Sequence, residues 1–348
     1  MSTKHLAGAL VLSLTLGVAA CGSDNSSSES KNTTSASEAA GKKSGTTAAK
    51  ATGPVKIAFS APGADHGWMA AITKNAREQA KKLGDVQLQA AEGVTDSAAQ
   101  ADQIETLIAS KPDALVVLPN EPDALTPVAQ KAMAAGIPVV DIDREFTERG
   151  AYRALITGDN YGIGFQAGNY FADQLKCKGN VVEIQGIAGI PVTEERSQGF
   201  RDALKKRCQD GIKIVASQPA DFVPDKGLSV MENILQAHKD IDAVYTHDDD
   251  MAEGVVSAIQ NAGRDKEMFL TGAGGSKTAM EQIKKGGLYR ATFLYNPSMS
   301  ASAINLARLI VRGRGFTELT EPEVPSKITV PATTVTKDNV DALLPLGF

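Results

Sequence analysis

Lys111-Pro112-Asp113-Ala114-Leu115-Val116-Val117-Leu118 decides the fold. The Lys-Pro-Asp triplet turns the chain. The five residues after it are apolar without alternation, as in a strand covered on both faces. Upstream, 98–110 has helical spacing and 86–90 reads as a strand. Farther out, Trp68, Ile72, Ala76, Ala80 and Leu83 recur at spacings of four, four, four and three, one face of a helix. Gly84 stops that helix, and Val55-Lys56-Ile57-Ala58-Phe59 is the strand ahead of it. Downstream, a helix over 123–135 closes at Gly136 and leads into Ile137-Pro138-Val139-Val140-Asp141-Ile142. The alternation resumes after Asp159. Helices over 160–176, 194–208, 225–237, 250–262, 276–285 and 298–312 are separated by strands at 180–185, 212–217, 241–246, 268–271 and 290–294. Regular β–α alternation with short loops predicts an α/β fold of parallel sheets with helices on both faces. Two runs of it predict two similar lobes.

The N-terminal residues are of another kind. Lys4 and His5 precede the apolar run 6–20, which ends in small residues before Cys21. A polar start, a short apolar core and a small-residue exit are the layout of a secretory signal. The run is shorter than the ~20 residues that span a bilayer. Gly17-Val18-Ala19-Ala20-Cys21 resembles the lipobox of bacterial lipoproteins, which implies lipidation of Cys21 and a lipid anchor at the membrane. Residues 22–53 are dominated by Ser, Thr, Ala, Lys and Gly. They cannot bury enough apolar surface to offset ordering entropy, and read as a disordered tether spanning about 30 Å. From Pro54 the chain has about 295 residues, enough for two lobes. The net charge is −5 with both signs interspersed, and no basic run marks a nucleic-acid partner. Cys177 precedes a strand and Cys208 ends the helix after it, so both lie at one edge of a sheet. A Cys177–Cys208 disulfide is expected in an exported protein, with two free buried thiols as the alternative.

In parallel sheets of this kind ligands bind beyond the carboxyl ends of the strands. Polar residues cluster there: Ser60 to Met69 after the first strand, with Asp65, His66 and Trp68; Asp143-Arg144; Glu195-Arg196; Asp221-Phe222; His247 to Asp250; and Tyr295-Asn296. Arginines and carboxylates can satisfy hydroxyl groups, and aromatic faces can cover the C–H patches of a sugar ring.

With these residues the chain resembles the periplasmic binding proteins of the ribose/galactose type, over essentially all of it after Pro54. Val181-Val182-Glu183-Ile184-Gln185-Gly186-Ile187-Ala188-Gly189, Ser217-Gln218-Pro219-Ala220-Asp221-Phe222 and His247-Asp248-Asp249-Asp250-Met251-Ala252 are the most specific stretches. The resemblance implies two Rossmann-like lobes joined by a three-stranded hinge, with residues 55–158 plus 296–330 in the first lobe and 159–295 plus 331–348 in the second. It implies a monomer that holds a small neutral sugar or polyol between the lobes and docks onto ATP-binding-cassette permease subunits, with no cofactor. Galactofuranose- and polyol-type members look nearer than ribose binders. Residue by residue, Asp143 and Arg144 match a pair that grips sugar hydroxyls, Arg196 the arginine of the second lobe, and Phe222 an aromatic flanking the ring. Trp68 falls near a second aromatic position. Asp248 stands where ribose binders usually carry asparagine, and Tyr295 where they carry glutamine. Many relatives place an aspartate within Thr271-Gly272-Ala273-Gly274-Gly275-Ser276, where this chain offers Gly274. The missing carboxylate counts against ribose, and its acceptor role could pass to Asp248 or Asp249. Ser60, Asp65, His66 and Met69 complete the expected ligand-binding set.

Plainer readings exist for several of these. Arg196 could pair with Glu194 or Glu195, Trp68 could be core, and Asp248 to Asp250 could simply favour a helix N-terminus. A metal site is not expected, because the aspartates lack EF-hand spacing. Catalysis is not expected either: there is no Gly-x-Ser-x-Gly, and neither His66 nor His247 has an evident orienting partner. A sensor that signals to a membrane receptor or kinase is the alternative to an importer component. Lost induction with intact uptake after gene deletion would mark the sensor.

Overall fold

The computed structural model describes residues 53–91, 93–316 and 319–348. The expected signal 1–21 with Cys21, and the tether up to residue 52, lie outside the described residues. Two α/β lobes are present, each built on a six-stranded sheet.

The first lobe begins β1 (Val55–Ser60), α1 (Gly67–Leu83), β2 (Val86–Ala90), α2 (Ser97–Ala109), β3 (Ala114–Val117), α3 (Pro122–Ala134), β4 (Val139–Ile142) and β5 (Ala154–Gly158). The second follows with α4 (Asn160–Leu175), β6 (Gly179–Gln185), α5 (Pro191–Cys208), β7 (Ile212–Pro219), α6 (Pro224–Ala237), β8 (Ala243–Thr246), α7 (Asp249–Asn261), β9 (Phe269–Thr271), α8 (Lys277–Lys285) and β10 (Tyr289–Phe293). Then come α9 (Met299–Val311), β11 (Lys327–Val330), β12 (Thr334–Thr336) and α10 (Val340–Leu343). Strand order is β2-β1-β3-β4-β5-β11 in one sheet and β7-β6-β8-β9-β10-β12 in the other. Every pairing is parallel except β10 with β12.

The chain therefore passes between the sheets three times: from β5 into α4, from β10 into α9, and from β11 to β12. Helix α9 follows a strand of the second sheet yet packs on the first lobe. Ser300 donates to the carbonyl of Ile72 at 2.7 Å, and Arg308 grips Asp85 through Nε and Nη2 at 2.7 and 2.6 Å.

Local signals explain the boundaries. Gly84 adopts φ +71° and ends α1. Asp96, Asp159, Asp248 and Ser276 cap α2, α4, α7 and α8 with their own side chains. Helix α5 starts at Pro191, earlier than the periodic pattern indicates, because proline suits the first helical position. Strand β5 lies in the interval 143–159, where the apolar pattern showed no element. Its apolar run is only Ala154-Leu155-Ile156 before Thr157 and Gly158, without alternation, and so does not stand out. Strands β11 and β12 are edges, with β11 largely exposed, and so lack an apolar signature.

Cys177 and Cys208 are joined by a disulfide with Cα atoms 4.9 Å apart. It ties the start of β6 to the end of α5, at the edge of the second sheet away from the strand C-termini. Closing a loop of 31 residues stabilises by about 3–4 kcal/mol. Among the described residues no helix is long and apolar enough to cross a membrane.

Candidate functional site

The C-terminal ends of both sheets face one cleft, and the chain's least expected burials are there. Trp68 is 5% exposed, Arg144 4%, Arg196 3% and Phe222 6%. Two arginines this buried between lobes mean that the lobes are closed on one another.

The first lobe contributes His66, Trp68, Asp143 and Arg144 to the walls. Asp143 follows β4 in a left-handed conformation, φ +69°, held by its N–H to the Ile156 carbonyl at 2.9 Å. Arg144 donates through Nη1 to the carbonyl of Asn120 at 2.6 Å. Its Nε lies 3.7 Å from Asp143 Oδ2 and has no hydrogen-bond partner. A buried guanidinium N–H without an acceptor is costly, and a ligand oxygen in the cleft would supply one.

The second lobe contributes Arg196, Phe222, Asp248 and Gly274. Arg196 does not pair with Glu194 or Glu195. It turns inward, donating through Nε to Asn160 Oδ1 at 3.0 Å and through Nη1 to the His247 carbonyl. Phe222 packs edge-on where Gly186 leaves room: a Cβ at Gly186 would sit 1.9 Å from the ring. Tyr295, on the second passage between lobes, forms the floor. Its hydroxyl donates to Asp143 Oδ1, its ring stacks on Trp68 at 5.5 Å, and the Arg196 guanidinium lies 4.6 Å from its centroid. The Trp68 indole N–H donates to the Tyr295 carbonyl at 2.7 Å. Gly158 gives Tyr295 its space, since a Cβ there would meet the ring at 2.1 Å.

Three residues expected at the site do not line it. Ser60 is fully buried behind it and accepts from the Gln100 amide at 3.2 Å. Met69 is core of the first lobe. Asp65 is half-exposed and pairs with His66 Nδ1. Val192 and Ala273 line the cleft and were not foreseen. The first turn of a helix that follows a sheet strand was the available signal for Val192.

The acidic run divides its labour. Asp248 lines the cleft and caps α7, accepting from the Met251 N–H at 2.9 Å. Asp249 cannot take over a ligand acceptor role, because it is fully buried and occupied. It accepts from the N–H groups of Gly275 and Ser276 at 2.7 and 2.8 Å and from the hydroxyls of Tyr289 and Thr292, both at 2.7 Å. His247 does not face the cleft; it is wholly buried, with Nε2 3.2 Å from Glu183. Glu183 also accepts from Ser197, Ser217 and Arg201. Burial alone would raise this carboxyl, but His247, Ser217 and Arg201 outweigh it and hold the pKa down at about 2. This network supports the carbonyl that receives Arg196.

Burial pushes Asp143 up, against the pull of Arg144 and the Tyr295 hydrogen bond. Burial also pushes Asp248 up, to about 7, with His66 opposing and Asp250 adding to the rise. Burial disfavours the charged form of His66, yet the Asp65 hydrogen bond and the charges of Asp248, Asp65 and Asp250 leave its pKa raised. Raised values in the closed cleft mean that a ligand which buries these groups is expected to bind with proton uptake. The stabilisation is fully present below the ordinary values of these groups and is lost as pH rises through the raised ones. Affinity for a neutral ligand is therefore expected to fall by about three- to tenfold between pH 5.5 and 8.5. Titration calorimetry across that range checks this, and a flat profile would reject it.

A two-lobed α/β architecture with a closed polar and aromatic cleft at the strand ends is that of a solute-binding protein. Residues 57–315 match the periplasmic binding protein domain, and the chain belongs to that family. Its members bind substrates and are not enzymes, and the family's place is outside the cytoplasm. The chain is 36% identical over 228 residues to the ribose import binding protein RbsB of Bacillus subtilis, covering 66% of this chain and 72% of that one. It is 32% identical over 259 residues to the galactofuranose-binding protein YtfQ of Escherichia coli, covering 72% and 80%. An ABC transporter solute-binding protein of Mycobacterium smegmatis, solved with bound glycerol, superposes with a TM-score of 0.76 at 31% identity, covering 84% of this chain and 97% of that one. Identity does not set the galactofuranose relative nearer than the ribose one, so global similarity does not choose between furanose, pentose and polyol.

Proposed function

We propose that this chain is the substrate-binding lipoprotein of an ATP-binding-cassette importer and holds one monosaccharide or polyol in the interlobe cleft by hinge closure. The observation that carries the reading is the burial of Arg144 and Arg196, one from each lobe, against Asp143, Asp248 and three aromatic rings. Cationic and anionic groups are balanced there, which suits an uncharged ligand rich in hydroxyls. Trp68, Phe222 and Tyr295 offer faces to its C–H surface. The three chain passages act as the hinge, and the ligand favours the closed form by touching both lobes. In this reading Cys21 is acylated, the tether lets a monomeric body reach the permease, and the relatives' ribose, galactofuranose and glycerol mark the range of ligands to try.

Trp68 is the chain's single tryptophan and stacks on the hinge residue Tyr295. Its fluorescence is expected to shift on binding, alongside a rise in melting temperature. Thermal shift and emission spectra with D-ribose, D-galactose, D-fructose, myo-inositol and glycerol test this. Silence in both readouts with all five would count against the proposal.

A further inference from the structure

Helix α1 begins without a cap of its own. Its N-cap residue is His66, whose side chain makes no capping hydrogen bond, although first-turn N–H groups have no partner within the helix. The acceptor comes from the opposite lobe. Asp250, in the first turn of α7, accepts the Trp68 backbone N–H through Oδ2 at 3.0 Å. Asp250 is not among the residues lining the cleft.

A second observation points the same way. Gly67, the first residue of α1, has no positive φ that would call for glycine. A Cβ at this position would meet the Asp250 carboxylate, at 3.1 and 3.3 Å from its two oxygens. The small residue suits the approach of the other lobe, while its own helix would prefer alanine.

We propose that Asp250 is an interlobe latch: a positioning residue that caps α1 across the cleft only when the lobes are closed, and so sets how tightly ligand is held without touching it. This rests on the reading of the cleft as a site that closes on a ligand. When the lobes part, the Trp68 N–H and the carboxylate return to water, so the contact adds free energy to one state alone. A contribution to the closed state strengthens ligand binding and slows release.

Asp250→Ala is expected to weaken binding by roughly tenfold, mostly through faster release, with little change in the melting temperature of the empty protein. Gly67→Ala should act in opposite directions on the two readouts, raising the empty protein's melting temperature slightly while weakening binding severalfold. In the Asp250→Ala background, Gly67→Ala should lose most of its effect on binding. A role confined to one lobe would move stability and affinity together.

The wild type and variants would be titrated with D-ribose, D-galactose and glycerol, with release followed by stopped-flow on Trp68. Energy transfer between dyes on the two lobes would report the closed fraction without sugar, which Asp250→Ala should lower. Asp250→Ala affinity within about twofold of wild type, or an equal loss of empty-protein stability, overturns the latch. If the wild type binds none of these three nor D-fructose or myo-inositol, the cleft reading fails, and the sugar-free transfer alone judges the latch, unchanged transfer overturning it.

Discussion

Arg144→Ala is expected to remove ligand-induced thermal stabilisation and to weaken binding by roughly a hundredfold or more. Hydrogen bonds to charged groups contribute about 1.5–3 kcal/mol each, and Arg144 has donors to spare. One arm is engaged by the Asn120 carbonyl while Nε lies buried without an acceptor. Truncation would leave the ligand's hydroxyls without that donor, and Asp143 without its neighbouring cation. The empty protein should melt within a few degrees of wild type, because in an open cleft Arg144 can be hydrated. Arg144→Lys, which keeps charge but not the planar fork, should recover only part of the affinity. Full thermal stabilisation of Arg144→Ala by the tightest sugar would show that the ligand sits elsewhere.

Asp249→Ala should have the converse profile, a large loss of stability in the empty protein. The buried carboxylate receives four hydrogen bonds from two segments: the turn at Gly275 and Ser276, and strand β10 through Tyr289 and Thr292. Its removal strands four donors, at an expected cost of about 3–5 kcal/mol. In a folded body of about 295 residues that lowers the melting temperature by about 5–8 °C. Differential scanning calorimetry of the empty variant measures it, and a change under about 1 kcal/mol would contradict the network as described. Paired with Arg144→Ala, the variant separates what holds the lobe together from what holds the ligand.

Much of this architecture is legible in the residues. The apolar run 114–118, the stripe from Trp68 to Leu83 and the strand-end clusters predict parallel sheets with a cleft at the strand C-termini, and most cleft residues fall at those ends. The reading runs out where meaning depends on partners distant in sequence. Asp248, Asp249 and Asp250 are consecutive and chemically alike. Asp248 faces the cleft from the extended N-cap position, while Asp249 anchors a turn and Asp250 reaches the other lobe from successive helix positions about 100° apart in direction. The strand-end position of Ser60 predicts a ligand contact, yet its side chain points to Gln100 behind the sheet. Gly158 and Gly186 had no visible role in the sequence, because the rings they make room for, Tyr295 and Phe222, lie tens of residues or more away.

The sheet order has a bearing on how the chain acquires its fold. Strand β11 closes one sheet beside β5, and β12 closes the other beside β10, with only the three residues 331–333 between the two strands. Both lobes thus wait for the same short C-terminal stretch before either has its outermost strand. Such distant pairing is slow to form, so a nascent polypeptide should remain pliable until nearly all of it has emerged.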